Sequence, residues 1–593
     1  MKSKDLHDPS ESPWMTEDLM ELLKKYALQN AVRHGGKAMP EPVLGKAIAE
    51  RPDLKSMAKE LAKAAALIVS EVNKMNLQEQ RKLLEERWPE LLEEQTKMEE
   101  KALPPLPNVD KYERIITRYA PNPDFVLHFG QARAIFLSHD YARMYKGKFI
   151  LRFEDTDPRL KRPSLEYYDA IRQDILWLGC RWDEEYVQSA RMPIYYEYAE
   201  RLLKEGNAYV CTCKGENFRA KLWLGEPCPC RNLPPEDHMD RWEKMLDGSY
   251  KEGSAVLRIK TDLKHPNPSV RDWVALRIID TRRNPHPLVG DRYRVWPTYN
   301  FAAGIDDHLM GVSHIIRGKE FIPSIDRQSY LYGHLGWRYP DCIHYGKWKI
   351  LHGGIMSKSR FLKGLKEGLY EGIDDPRLAT LAALRRRGIH PEAIHKMIID
   401  VGIKPVDVSL SWENLYAINR KIVDPMASRY FFVEDPVLLN VRGVMKPYTA
   451  RPLLHPSYPE RGRRVIPVKP ENGLLRLFIS RRDAKSLKLH KVVRLMELFN
   501  ILPTKIGDEA IESEFHSESL MEARRLGAPL IHWIPTIGGI ETTVLMPDAM
   551  RIKGLSEESC RGLKVGEIVQ FERFGFVKIE SLEDGIKACF THP

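Results

Sequence analysis

Four of the chain's eight cysteines fall within 20 residues, as two C-x-C pairs: Cys211 with Cys213, and Cys228 with Cys230. On an extended segment, side chains two apart share a face, so each pair aims both thiols the same way. Four thiolates from two such knuckles suit a tetrahedral structural zinc with every position filled. Such a centre does no chemistry itself. Disulfides inside the pairs are disfavoured, since neighbours two apart bridge badly and a reducing compartment opposes them. Cys180, Cys342, Cys560 and Cys589 are scattered and read as core residues. A second set of residues could handle phosphate. TRYAPNPDFVLHFGQARA (117–134) puts His128, Gly130 and Gln131 at the start of an amphipathic helix. A helix N-terminus offers unpaired amide protons and the positive end of a dipole. Gly130 clears room for a nucleotide, and His128 and Gln131 can donate hydrogen bonds. GGIMSKSR (353–360) sets Met356, Ser357, Lys358 and Ser359 on a glycine-led loop. Its hydroxyls and ammonium could clamp a polyphosphate and stabilise transition-state charge. Taken singly, each stretch also fits a packed histidine or a solvated turn.

The elements that must hold these groups follow from periodicity. Residues 16–33 put Leu19, Leu22, Leu23, Tyr26 and Ala27 on one helical face, and 55–72 and 78–100 repeat the pattern. LPPLPN (103–108) cannot continue a helix, so it reads as a stiff linker. From about 110 to 350, short apolar runs such as KFILRFE (148–154) alternate with helical stretches such as SLEYYDAIRQDILWLG (164–179). That alternation argues for a parallel sheet with crossover helices. Residues 351–428 read mostly as helix, and from 429 onward short strands with turn signals suggest one β-barrel or a pair. The length, 593 residues, allows roughly three to five domains. A net charge of +10 permits a polyanionic partner without requiring one. No apolar run approaches the ~18–20 residues of a membrane span, and MKSKDLHDPSESPW has no apolar h-region. A cytoplasmic protein without membrane contact is expected.

The two phosphate stretches together, H-x-G-x opening an α/β unit and MSKS about 225 residues later, resemble the signatures of class I aminoacyl-tRNA synthetases. RYAPNPDFVLH, GKFILRFEDTDPR (147–159) and VWPTYNFAAGIDDHLMGVSHIIRGKE (295–320) look, in sequence and order, like the glutamyl-tRNA synthetase family. The resemblance spans essentially the whole chain. The helical extension and β-rich last third are similar to its archaeal-type members. It implies a multidomain α/β plus all-β fold: a helical N-terminal extension with Pro-rich linker (1–107), and a Rossmann-like catalytic domain in two halves (108–205 and 273–350). Between these halves lies an acceptor-stem-binding insertion bearing zinc (206–272). The MSKS loop and a helical stem (351–428) and an anticodon-binding β-barrel region (429–593) follow.

The same resemblance implies ATP-dependent activation of L-glutamate, with Mg²⁺, and transfer to tRNA(Glu), with tRNA(Gln) as a further expected acceptor. His128, Gly130 and Lys358 become catalytic candidates, and Gln131, Met356, Ser357 and Ser359 join them around ATP. Arg118, Ala120, Asn122, Glu154, Tyr299 and Arg317 become the glutamate-holding set. Two cations and one anion complement a ligand with two anions and one cation. Which arginine takes the γ-carboxylate is open. Two positions depart from the family pattern: Gln131 stands where histidine is common, and Ile355 replaces the leading lysine of the second motif. Phe125 and Asp307 lie close to these segments without an assigned role. Arg385-Arg386-Arg387 and ERGRRV (460–465) are candidate contacts for tRNA phosphates or solvated faces. The competing readings are a glutaminyl-tRNA synthetase and a catalytically silent RNA-binding paralogue. The glutamine enzymes usually read P-P-E-P where this chain has Ala120-Pro121-Asn122-Pro123, and they lack the arginine of position 317. A monomer is expected, with the N-terminal helices available to protein partners.

Overall fold

The structure, a computed structural model, describes residues 16–33, 36–89, 91, 102–350 and 358–593. The chain forms two compact units, Met1–Ala102 and Leu103–Pro593. The first holds helices Glu17–Arg33, Pro40–Glu50, Ala58–Val72 and Leu77–Arg87. Leu23, Ala27 and Ala31 of the first helix share a core with Val43, Ala47, Leu61, Ala65 and Leu84. The helix Pro40–Glu50 was not among the expected ones. Its prolines sit in the first turn, where no amide proton is needed. Gln80 is fully buried, and its Nε2 donates to the carbonyls of Gly36, Val72 and Met75. The expected helix 78–100 is described as far as Pro89, together with Leu91.

The Pro-rich run is not a free linker. Prolines leave carbonyls without neighbouring amide donors, and the larger unit supplies donors from side chains. Tyr141 donates to Pro104 O at 2.9 Å, and His314 Nε2 lies 2.8 Å from Pro107 O. The amide of Leu106 donates to the Tyr145 hydroxyl at 2.9 Å.

Strands Ile116–Tyr119, Lys148–Phe153 and Glu184–Val187 pair in parallel, as do His314–Gly318 and Asp341–Tyr345. Ser313 joins the two sets: its amide donates to Ile116 O at 2.9 Å and its hydroxyl accepts from Ile116 N at 2.8 Å. Helices Phe129–Met144, Leu165–Trp177 and Ile322–Leu335 accompany the strands, giving the expected Rossmann-like α/β architecture. The chain order reverses between strands Ile116–Tyr119 and His314–Gly318. In such sheets ligands bind at that switch point, beyond the carboxyl ends of the strands.

The parallel pattern expected across 110–350 is interrupted. Strands Ala208–Cys211, Val256–Ile259, Val274–Ile278 and Val295–Pro297 form a separate antiparallel sheet, each paired with the next. Helices Gly215–Leu224 and Pro235–Leu246 belong to the same insertion. The division expected at 272/273 falls between two paired strands, so the sheet runs on to Pro297. Helices Lys358–Lys366, Leu381–Arg386, Pro391–Val401 and Trp412–Val423 follow, with strand Trp348–Ile350 in parallel register with Val408–Leu410.

The last third contains two seven-stranded sheets. One has Arg429–Tyr430 at one edge and Phe432–Glu434 at the other, so the single residue Phe431 links its edges and closes it. The second has edges Leu530–Ile531 and Ile534–Pro535, linked through His532 and Trp533. Phe431 and Trp533 are both fully buried in one core. Closure removes exposed strand edges. Among the described residues, no helix is long and apolar enough to cross a membrane.

Candidate active site

A cavity of about 650 Å³ opens at the carboxyl ends of the parallel strands, walled by Arg118, Asn122, His128, Glu154, Tyr299 and Arg317. Ala120, Gly130 and Gln131 also border it. On one side stands the N-terminus of helix Phe129–Met144. His128 caps it: its Nδ1 accepts the Gly130 amide at 3.1 Å, and Gln131 Oε1 accepts the His128 amide at 3.0 Å. This reciprocal box satisfies two of the helix's orphan donors. An accepting Nδ1 puts the neutral ring's proton on Nε2. Burial lowers the ring's pKa from its ordinary 6.5 to about 4, so the imidazole is neutral at physiological pH. A Cβ at Gly130 would sit 3.1 Å from the His128 ring, so the glycine makes room for the cap. The backbone on both flanks of His128 is tied down: Phe129 N donates to Ala379 O at 2.8 Å, and Leu381 N to Leu127 O at 2.9 Å.

The cavity floor carries concentrated charge. Arg118 lies just before the end of strand Ile116–Tyr119 and is 5% exposed; its Nε and one terminal nitrogen face the two oxygens of Asp307 at 3.1 and 3.3 Å. Arg152 is fully buried between Asp307 Oδ1, at 2.8 Å, and Glu154 Oε1, at 3.0 Å. Burial would raise the Asp307 carboxyl, but Arg118 and Arg152 outweigh it and hold it below the usual range. For Glu154 the balance reverses: burial lifts its pKa despite Arg152 and Arg118. Arg317 is different. It is 4% exposed, and its partners are the Tyr299 hydroxyl and Gln328 Oε1, both at 3.4 Å, the Tyr339 hydroxyl at 3.1 Å and the Cys342 sulfur at 3.9 Å. All four are neutral. Among the described residues no carboxylate lies within ion-pair distance of it. Asn122 Oδ1 is buried at the same cavity without a hydrogen-bond partner. Arg118, Arg152 and Arg317 stand with two carboxylates, Glu154 and Asp307, and Arg133 adds a further buried guanidinium at the wall, so positive charge exceeds negative around the cavity.

Lys358 and Ser359 begin helix Lys358–Lys366. Met356 and Ser357 lie outside the described residues, as do the side chains of Lys358 and Ser359. The helix packs on the first motif through Phe361, whose ring centroid is 4.8 Å from that of Phe125. Phe125 thereby ties the two motifs together.

The four clustered cysteines come together as expected, with all four sulfurs within 4.8 Å of one another. A tetrahedral zinc with Zn–S near 2.3 Å separates its sulfurs by about 3.8 Å. Here Cys211 and Cys228 are 3.9 Å apart, and Cys213 and Cys230 are 3.7 Å apart. The donor set therefore fits the ion. The Arg241 guanidinium, 3.2 Å from the Cys230 sulfur, would offset the excess thiolate charge.

Arg152, Asp307 and Arg133 were not among the expected site residues. Arg133 is 1% exposed at the cavity wall, donating to the carbonyls of Gly346 and Gly402 at 2.8 and 2.6 Å. A signal for Arg152 exists: an arginine inside the apolar strand FILRF needs a buried partner. The two basic runs are not free. Arg386 pairs with Glu580, Arg387 is buried against Thr591 O and Tyr416, and Arg464 is buried between Glu557 and Glu572.

Comparison with known proteins agrees with this architecture. Residues 114–425 match the family model of class I tRNA synthetases (E and Q), catalytic domain. Residues 427–518 and 530–580 match models of their anti-codon binding domains. The glutamate–tRNA ligase of Thermococcus kodakarensis is 49% identical over 580 residues, covering 97% of this chain and all of that one. That of Pyrococcus furiosus is 49% identical over 582 residues, with coverage of 97% and 100%. That of Thermofilum pendens is 48% identical over 585 residues, with coverage of 98% and 100%. The chain belongs to the class I tRNA synthetases of the E and Q group.

Proposed function

We propose that this chain is a glutamate–tRNA ligase. It activates L-glutamate with ATP to glutamyl-adenylate, then passes the glutamyl group to the 3′-terminal adenosine of tRNA(Glu). The observation that carries this reading is Arg317, a buried guanidinium surrounded by neutral partners. Leaving such a charge uncompensated costs about 3–5 kcal/mol if fully buried. A ligand carboxylate supplies the missing partner, and a second carboxylate meets the outward edge of Arg118. The ammonium group is taken by the Glu154 carboxylate and the orphaned Asn122 Oδ1, with the Tyr299 hydroxyl and the backbone at Ala120 bordering the ligand. Glutamate, at net charge −1, offsets part of the excess positive charge around the cavity; glutamine, at net zero, does not.

In the first step the glutamate carboxylate attacks the α-phosphorus. A C–O–P bond forms and the bond to pyrophosphate breaks. Charge spreads over the phosphate oxygens, and preorganised donors stabilise it. The Nε2–H of His128 and the amides of the helix behind it serve as donors, and Lys358 and the MSKS hydroxyls are further donors to phosphate. Gln131 is engaged through Oε1 in the cap, leaving only its amide nitrogen for phosphate. Mg²⁺ bound with ATP would supply further charge neutralisation at the phosphates. In the second step a terminal ribose hydroxyl of the tRNA attacks the acyl carbon, losing its proton as AMP departs. No side-chain nucleophile is needed. Cys211, Cys213, Cys228 and Cys230 would hold a structural Zn²⁺ in the insertion. We extend the proposal to tRNA(Gln) as a second acceptor, to action as a monomer in the cytoplasm, and to the N-terminal helices as a surface for protein partners.

The test is charging of purified tRNA(Glu) and tRNA(Gln) with radiolabelled glutamate or glutamine, plus ATP and Mg²⁺. Glutamate on both tRNAs is the expected result. Glutamate on tRNA(Glu) alone removes the second acceptor; glutamine charging, or none, overturns the reading.

A further inference from the structure

The three consecutive arginines 385–387 occupy a junction. Arg385 reaches Asp174 of helix Leu165–Trp177, its nitrogen 3.7 Å from Oδ1. Arg386 Nε lies 2.5 Å from Glu580 Oε1, on strand Gly575–Ser581 of the first C-terminal barrel. Arg387 donates to Thr591 O of the last strand at 3.0 Å and to the Tyr416 hydroxyl at 2.7 Å. Lys578 Nζ, also on strand Gly575–Ser581, donates to Arg385 O at 2.8 Å. Gly388 packs so closely that a Cβ there would be 2.9 Å from Thr591 Oγ1. These contacts grip the C-terminal end of helix Leu381–Arg386.

Its other end grips His128. Thr380 caps the helix and faces His128 in an isolated antiparallel bridge, closed by Phe129 N on Ala379 O and Leu381 N on Leu127 O. The six residues of Leu381–Arg386 rise only about 9 Å. A helix this short and bonded at both ends transmits displacement as a rigid strut.

We propose that the segment Ala379–Gly388 is a positioning strut through which the first C-terminal barrel sets the placement of His128, with Arg386, Glu580 and Lys578 as positioning residues. The proposal rests on the ligase reading. Occupancy of the barrel region by the tRNA would thereby reach the reacting phosphate by way of the backbone beside His128, with no contact between Arg386 and substrate. Misplacing a catalytic group by about 1 Å can cost on the order of 10²-fold in rate, so small shifts of the strut matter.

The experiment uses the full chain with Glu580→Gln, Glu580→Asp and, independently, Lys578→Met. Single-turnover glutamate charging is measured at saturating ATP and tRNA(Glu), alongside tRNA affinity by filter binding and thermal melting. Expected for Glu580→Gln and Lys578→Met is a rate loss of about 10- to 100-fold, with tRNA affinity unchanged. The melting temperature stays near that of the wild type, and Glu580→Asp regains most of the rate. A rate within about twofold of wild type in both variants overturns the strut. So does a loss accounted for by weaker tRNA binding or by unfolding. A wild-type chain that charges no glutamate would sink the ligase reading instead, and the two failures are thus distinct.

Discussion

Because its Nδ1 accepts the Gly130 amide at 3.1 Å, His128 serves as helix cap and phosphate donor with opposite edges of one ring. Substitution separates the two. His128→Ala should lose the cap, at about 1 kcal/mol of stability, and about 10²–10³-fold in adenylate formation. His128→Asn should keep the cap and the stability while still losing most of the rate, measurable by melting and single-turnover kinetics side by side. The lowered pKa has a sign. With a folded value of about 4 against an ordinary 6.5, the unfolded chain takes up the proton first on acidification. His128's contribution to stability is therefore complete above 6.5 and is lost as pH falls toward 4. His128→Asn should soften acid unfolding in that window. Adenylate formation should show no His128 titration from about pH 5.5 to about pH 8; an inflection near 6.5 that vanishes in His128→Asn would mean a charged ring.

At the scale of elements, the cysteine knuckles carry the clearest expectation. The purified chain should hold one zinc, by elemental analysis. Cys228→Ser should lose it and lower the melting temperature, because structural sites of this kind contribute folding energy directly. Retention of full stability without zinc would leave the cluster a packed thiol core. The cluster was legible because its spacing is local. So were the first unit's helices other than Pro40–Glu50, the first motif's helix and the β-rich last third. The partners of Arg118 and Arg386 were not legible, since they lie 189 and 194 positions away in the chain. No local periodicity reports such pairings. The intramolecular partners of Arg385–Arg387 were hidden for that reason, and Gln131's engagement in the cap depends on backbone geometry that the motif does not spell out. Closure of the barrels through Phe431 and through His532-Trp533 is likewise a matter of which edges meet, not of strand content.

At the scale of the molecule, the division at Ala102/Leu103 gives a sharp truncation test. Removing 1–102 should leave a folded, charging enzyme. Removing a further eight or so residues strips the hydrogen bonds made by Pro104 O, Leu106 N and Pro107 O and should lower the melting temperature by several degrees for each kcal/mol lost. Equal melting of both truncations would mean the Pro-rich run is unanchored. Substrate choice rests on charge: the fold encloses arginines beyond those its carboxylates match, among them Arg317, and an anionic substrate supplies the missing partner. The most direct measurement compares kcat/KM for glutamate and glutamine in the wild type and in Arg317→Gln, with the melting temperature of each free protein. The wild type should strongly prefer glutamate. Arg317→Gln should lose about 10²-fold or more toward glutamate and melt no lower than wild type, because a buried uncompensated charge has been removed. Undiminished glutamate activity in Arg317→Gln would contradict this charge pairing.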